Sequence, residues 1–281
     1  MNFAHDIIYP LLLMGVMGGV FGVLLSVASM AFRVHQDERI DKIRAILPGA
    51  NCGGCGYPGC DGYAAGVVND GAKTNLCSGG GAPAAEKIAE IMGVDAEATV
   101  PMRVFRKCRG TPEASPRTAI YDGIADCRSA VMVPGGSPNA CPFGCVGFGT
   151  CVKVCPFGAL SMADGLPEVD TDKCVGCGVC VSNCPKAVLT LVPRKVGIIV
   201  ACNSHWRGPM VRGVCSAGCI GCGVCAKVCP AEAITIDHDL AVIDQGKCIQ
   251  CGRCAGKCPA KCILTAQSCD EASAVPMEET A

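Results

Sequence analysis

The chain has 281 residues, a formal net charge of −1, and an unusual inventory of 26 cysteines, 36 glycines, 18 prolines and a single tryptophan. Aromatic residues make up only 4%, so large apolar side chains are too thinly spread for an ordinary core, and stability must draw on whatever the cysteines bind. With no basic excess to meet a polyanion, no nucleic-acid partner is expected.

The first element is apolar. Ile7 to Phe32 contains no charged residue. A helix of that length reaches roughly 39 Å at about 1.5 Å per residue, enough to cross a hydrocarbon layer of about 30 Å with some tilt. Gly15, Gly18, Gly19, Gly22, Ser26 and Ala28 suit close packing between membrane helices. A secretory signal would start with basic residues and carry a shorter apolar stretch, whereas only His5 and Asp6 precede this one. Residues 1–32 therefore read as a transmembrane anchor. Arg33, Arg39, Lys42 and Arg44 follow it, with no Lys or Arg before it. The positive-inside rule then predicts a single-pass protein of a bacterial or archaeal cytoplasmic membrane, with its N-terminus outside and its cysteine-rich body in the cytoplasm. Thiols stay reduced there, which argues against a disulfide scaffold.

Residues 33–47 continue as a juxtamembrane helix with Ile40, Ile43, Ile46 and Leu47 at helical spacing. Residues 48–100 form a small domain around Cys52, Cys55, Cys60 and Cys77, spaced Cys-x2-Cys-x4-Cys-x16-Cys and interleaved with glycine. They are assigned one [4Fe–4S] cluster, and a helix is predicted around Ala84 to Met92. Residues 101–140, punctuated by Pro and Gly, read as a connecting module carrying Cys108 and Cys127.

Beyond them lies a duplication at an offset of 74 positions. Cys141, Cys145, Cys151, Cys155, Cys174, Cys177, Cys180 and Cys184 are matched by Cys215, Cys219, Cys225, Cys229, Cys248, Cys251, Cys254 and Cys258. An internal repeat of this kind sets the architecture. Each copy ends in Cys-x2-Cys-x2-Cys-x3-Cys-Pro, the pattern in which three close cysteines hold one [4Fe–4S] cluster and the fourth reaches a neighbouring one. Residues 141–192 and 215–266 thus form two ferredoxin-like modules joined by a linker, 193–214. The stretches LSMADGLPEVD and ITIDHDLAVID read as hairpins, and Val196 to Ala201 as a strand. The tail 267–281, acidic and Ala-rich, is expected to be disordered.

Crossing the ligands gives definite sets. Cys219, Cys222 and Cys225 go with Cys258; Cys248, Cys251 and Cys254 go with Cys229; Cys174, Cys177 and Cys180 go with Cys155. The remaining set is irregular, because Phe148 stands where the second copy has Cys222. Cys141 is the nearest substitute, giving Cys141, Cys145, Cys151 and Cys184. Five clusters result. Structural zinc prefers two CxxC-type pairs with a longer spacer, which these runs do not match. Cys108, Cys127, Cys202, Cys215, Cys262 and Cys269 are left over. Two readings stand for the first four: a sixth cluster between the modules, or buried free thiols. The other two read as spare thiols.

The four histidines are scattered, no Walker A sequence occurs, and no dinucleotide fingerprint follows a predicted strand. No catalytic residue is assigned, so the chain moves electrons and has no bond-making site of its own. The overall class is α+β: a transmembrane helix, a small [4Fe–4S] domain and two tandem ferredoxin-like modules.

The membrane segment, the motif NCGGCGYPGC and the modules after it together resemble the B subunit of the Rnf complex, in its long clostridial-type form. The resemblance implies an electron-transfer subunit of an ion-pumping ferredoxin:NAD oxidoreductase. It further implies reduced ferredoxin as donor and membrane-embedded, flavin-carrying and NAD-binding subunits as partners, with either sodium or protons moved. Lys153, Lys173, Lys186, Lys227, Lys247, Arg253 and Lys257, near the cluster loops, are candidates for steering an acidic ferredoxin. The rival readings are a relay subunit of a hydrogenase or formate dehydrogenase type enzyme, and a cluster-based redox sensor.

Overall fold

The computed structural model describes residues 8–32 and 37–265. The start of the juxtamembrane segment, the tail 267–281 and Cys269 lie outside the described residues. Helix α1 (Tyr9–Ala31) exposes nearly every side chain whose burial is described. Its stretch Leu11–Ala31 has a mean hydropathy of 2.3 and no share buried within the molecule. Among the described residues nothing covers this apolar surface, which makes the helix a candidate membrane span.

The small upstream domain packs three helices: α2 (Glu38–Ile46), α3 (Gly59–Asn69) and α4 (Gly81–Met92). Asp37 starts α2 by accepting from the Arg39 backbone N–H at 2.9 Å, a helix cap. Glu38 and Asp41 lie in the first turn and Arg44 in the last, each favoured there by the helix dipole. Ile43, Tyr63, Val67 and Ile88 close the core between the three helices, and Arg44 pairs with Asp61 across α2 and α3.

Residues 101–140 do more than connect. Their first strand, β1 (Met102–Arg106), runs antiparallel to β4 (Leu189–Pro193), from Met102 opposite Pro193 to Arg106 opposite Leu189. It thereby completes the first ferredoxin-like module. That module continues with α5 (Cys127–Ala130), α6 (Thr150–Lys153), the hairpin β2 (Leu160–Ala163) and β3 (Leu166–Val169), and α7 (Val179–Ser182). The second module repeats the plan. It has β5 (Ile199–Val200), α8 (Gly208–Val214), α9 (Val224–Lys227), the hairpin β6 (Ile234–Asp237) and β7 (Leu240–Ile243), α10 (Arg253–Lys257), and β8 (Ile263–Leu264) paired to β5. Both predicted hairpins form, and the predicted strand at 196–201 is β5. The short helices α6 and α9 each start from a glycine in the left-handed region, Gly149 at φ 68° and Gly223 at φ 71°. An L side chain there would be strained.

Strand register extends the duplication beyond its cysteine core. Arg106 faces Leu189 and Val200 faces Ile263. Leu189 and Ile263 are repeat partners, so Arg106 corresponds to Val200. The next residues agree: Lys107 N–H donates to Val188 O at 2.6 Å and Ala201 N–H to Cys262 O at 2.7 Å. One step further, Cys108 corresponds to Cys202.

Two seams hold the three cysteine-bearing units together. The upstream domain presses Gly54 onto the Cys177 backbone, so closely that an added Cβ would lie 2.5 Å from the Cys177 carbonyl oxygen. Between the modules, Arg109 Nη1 donates to Lys261 O at 2.6 Å, Asn203 Nδ2 to Lys186 O at 3.0 Å, and Ser216 N–H to Ala114 O at 2.9 Å. Phe143 meets Trp206 edge-on, with ring centroids 5.7 Å apart.

Candidate metal centres

In the upstream domain, Asn51 Oδ1 accepts from Cys60 N–H at 2.8 Å and fixes the glycine-rich loop to the start of α3. Cys77 lies within the fields of Cys60, Cys55 and Cys52, so the four expected thiols gather at one place. Gly80 N–H donates to Cys77 Sγ at 3.3 Å. The buried Tyr63 hydroxyl donates to Lys73 O at 2.8 Å and accepts from Leu76 N–H at 3.3 Å, pinning the loop that carries Cys77. Burial pushes its pKa up to about 12.

The first module brings Cys155, Cys174, Cys177 and Cys180 together. Cys180 feels the other three, and burial foremost drives its pKa up to about 12. Cys155 Sγ accepts from Ala159 N–H at 3.4 Å, and its repeat partner Cys229 accepts likewise from Ala233 at 3.4 Å.

The irregular set differs from the sequence expectation. The space lined by Cys145, Cys151 and Cys184 is completed by Cys127, while Cys141 faces a different space, toward Cys108 and Cys215. Cys151, after burial, is influenced most by Cys127 and then Cys184, and its pKa is raised to about 11. The reason is local. Asp126 caps α5 by accepting from the N–H groups of Arg128 at 2.9 Å and Ser129 at 3.2 Å. The Thr150 hydroxyl donates to Asp126 at 2.7 Å and accepts from Cys127 N–H at 2.8 Å. Those bonds set Cys127 beside Cys151. Phe148, at the position of the missing ligand, instead packs on the Tyr121 ring at 5.2 Å, with the Arg117 guanidinium 5.6 Å from its centroid.

In the second module Cys225 feels Cys219, Cys222 and Cys258, and Cys254 feels Cys248 and Cys251. Cys229 packs against the core that holds Cys254. Cys262, read from sequence as spare, is buried at 1% exposure. It lies 3.6 Å from Cys258 Sγ and hydrogen-bonds Cys219, lowering that thiol's pKa while its own rises.

The donor chemistry fits a cluster at these sets. Burial and neighbouring thiolates raise Cys145 to about 12 and Cys225 to about 11, so such groups ionise together only when a metal compensates their charge. Among the described residues, no three His, Cys, Asp or Glu side chains converge tightly enough for a single metal ion. Cys127, Cys145, Cys151 and Cys184 instead surround one space, and Cys219, Cys222, Cys225 and Cys258 another, as ligands of a multi-iron group do.

Neighbouring sets also adjoin. Cys177 feels Cys52 of the upstream domain, Cys180 feels Cys151, and Cys145 feels Cys108. At the far end, Cys222 and Cys251 are the exposed members of the described cysteines.

Comparison with known proteins agrees with this organisation. Residues 47–78 match the Fe-S cluster family FeS, and residues 144–188 and 218–262 each match the 4Fe-4S dicluster domain. The chain is 45% identical over 244 residues to the B subunit of the Na(+)-translocating ferredoxin:NAD(+) oxidoreductase complex of Acetobacterium woodii, covering 86% of this chain and 73% of that one. It is 46% identical over 243 residues to the B subunit of the proton-translocating ferredoxin:NAD(+) oxidoreductase complex of Clostridium ljungdahlii, covering 86% and 85%. A third relative, the B subunit of the ion-translocating oxidoreductase complex of Methanosarcina acetivorans, is 40% identical over 82% of this chain and 88% of its own.

Proposed function

The chain belongs to the family of the B subunits of the Rnf complexes, the ion-translocating ferredoxin:NAD(+) oxidoreductases, and on that premise we propose that it takes electrons from reduced ferredoxin at its second module and delivers them beside the membrane. Five [4Fe–4S] clusters are held by Cys52, Cys55, Cys60 and Cys77; by Cys155, Cys174, Cys177 and Cys180; by Cys127, Cys145, Cys151 and Cys184; by Cys219, Cys222, Cys225 and Cys258; and by Cys229, Cys248, Cys251 and Cys254. When bound, such clusters supply one-electron carriers of low potential. The protein's own part is to set their order, exclude water and aim N–H donors at the sulfurs, which tunes potential.

The observation that carries this reading is the succession of adjoining cysteine sets. The exposed Cys222 and Cys251 lie at one end. Cys177 meets Cys52 at the other, in the domain that follows the candidate membrane helix. The greater exposure of Cys222 and Cys251 favours the second module as the surface where a donor approaches. Ile249, 63% exposed, with Lys247, Arg253 and Lys257, all exposed, offers an apolar contact ringed by positive charge, suited to an acidic ferredoxin. The body faces the cytoplasm, and the membrane-embedded, flavin-carrying and NAD-binding subunits complete the path.

The test is ferredoxin-dependent NAD(+) reduction by the intact complex carrying Lys227→Glu and Lys247→Glu. Both side chains are exposed. Charge reversal is expected to slow the reaction at low salt by roughly tenfold, the lower range of electrostatic steering, with the difference fading as salt rises. An unchanged rate and salt dependence would remove this surface from the docking site.

A further inference from the structure

We propose that Cys108, Cys141, Cys202 and Cys215 hold a sixth [4Fe–4S] cluster in the seam between the two ferredoxin-like modules. The proposal deepens the relay reading above and rests on it for the other five sets. It differs from the set suggested by leftover cysteines, because the structure gives Cys127 to the first module and brings Cys141 to the seam.

The four thiols are two pairs of structural equivalents. Cys141 and Cys215 are repeat partners, and the strand register makes Cys108 the partner of Cys202. Each module therefore contributes the same two positions to one shared space, which all four line. Cys108 is their common neighbour: its charge acts on Cys141, Cys202 and Cys215 alike.

The hydrogen bonds around these sulfurs are duplicated too. Cys108 Sγ accepts from Gly110 N–H and Cys145 N–H, both at 3.4 Å. Cys202 Sγ accepts from Ser204 N–H at 3.5 Å and from Cys219 N–H, and Cys219 is the repeat partner of Cys145. The backbone N–H groups of Phe143 and Gly144 lie near the Cys141 thiol and favour its charged form, and those of their counterparts Ala217 and Gly218 do the same at Cys215. A neutral thiol is a weak acceptor. Backbone N–H groups gathered around each of the four sulfurs form the surroundings of thiolates bound to metal.

Ser115 supplies an independent sign. Its side chain lines the same space, the residue is 6% exposed, and its hydroxyl has no hydrogen-bond partner. A buried hydroxyl left unpaired costs about 1–3 kcal/mol, and a sulfur-rich group in the seam would accept from it. Lys107 and Arg109 also line the space, placing positive charge beside an anionic group. The position has a purpose, since Cys108 adjoins Cys145 of the first module and Cys202 adjoins Cys219 of the second.

The test is iron and acid-labile sulfide per chain in the purified complex, with low-temperature EPR of the reduced protein. The wild-type chain is expected to hold about 24 irons, four for each of six cubanes. Cys108→Ala and Cys215→Ala should each bring it to about 20, with one EPR spin lost and the others kept. A wild-type value of about 20, unchanged in both variants, would overturn the seam cluster and leave the five-set reading standing. A wild-type value well below that would overturn both. Ser115→Ala disturbs the fold least: it should keep all iron and shift the midpoint potential of one cluster. Unshifted potentials throughout would count against a cluster beside that hydroxyl.

Discussion

Cys127 and Cys141 show how the space a thiol lines is decided by what surrounds it and not by its distance along the chain. Cys141 lies close to Cys145 in sequence, yet it has a repeat partner in Cys215, which is no ligand of the second module's regular sets. Cys127 has no counterpart at the repeat offset, where Ala201 stands. A ligand lost from one copy only, at Phe148, is best replaced by a cysteine present in one copy only, and this signal was legible in the sequence. Cys127→Ala is therefore expected to remove about four irons, one cubane, whereas the double variant with Phe148→Cys restores them. Full iron content in Cys127→Ala would contradict the assignment. Cys262 makes a different point. The first module has Val188 at its position, and the thiol contacts two members of one proposed ligand set, Cys219 and Cys258. Cys262→Val should leave iron content unchanged and lower one midpoint potential, because a hydrogen bond to a ligating sulfur favours the more negative, reduced state. Loss of iron would instead make it a ligand.

At the scale of elements, the hairpins and the paired cysteine runs were readable because period-two alternation and fixed Cys spacing are local signals. Strand β1 was not, since its partner β4 lies far along the chain and nothing in MRVFR announces which edge it joins. The same distance hid the equivalence of Cys108 and Cys202, which sit 94 rather than 74 positions apart and align only through strand register. Contacts between units were equally silent. Gly54 is such a contact: a methyl group there would meet backbone, not a flexible side chain that could give way. Gly54→Ala should cost about 1–3 kcal/mol of docking between the upstream domain and the first module, as overpacking does. Limited proteolysis of the intact chain checks this. Cleavage should rise between the two units while each retains its clusters, and a wild-type digestion pattern would show that the seam tolerates the methyl group.

Across the whole molecule, a chain poor in large apolar side chains is built as a row of cysteine-lined spaces, with small helices and hairpins as their walls. The described apolar cores make the same point, since thiols are members of several: Cys219, Cys225 and Cys254 in the second module, Cys151, Cys174 and Cys180 in the first. Such walls hold together chiefly when the thiols are bound. The direction proposed for the row, from exposed Cys222 and Cys251 to Cys52 in the domain that follows the apolar helix, is the core of the functional account. It is tested most directly by freeze-quench EPR on the intact complex carrying Cys52→Ala and Cys55→Ala, mixed with reduced ferredoxin and NAD(+). The account predicts that the clusters of both modules become reduced and stay so while NAD(+) reduction stops. NAD(+) reduction at the wild-type rate, with the upstream set confirmed empty, would contradict it.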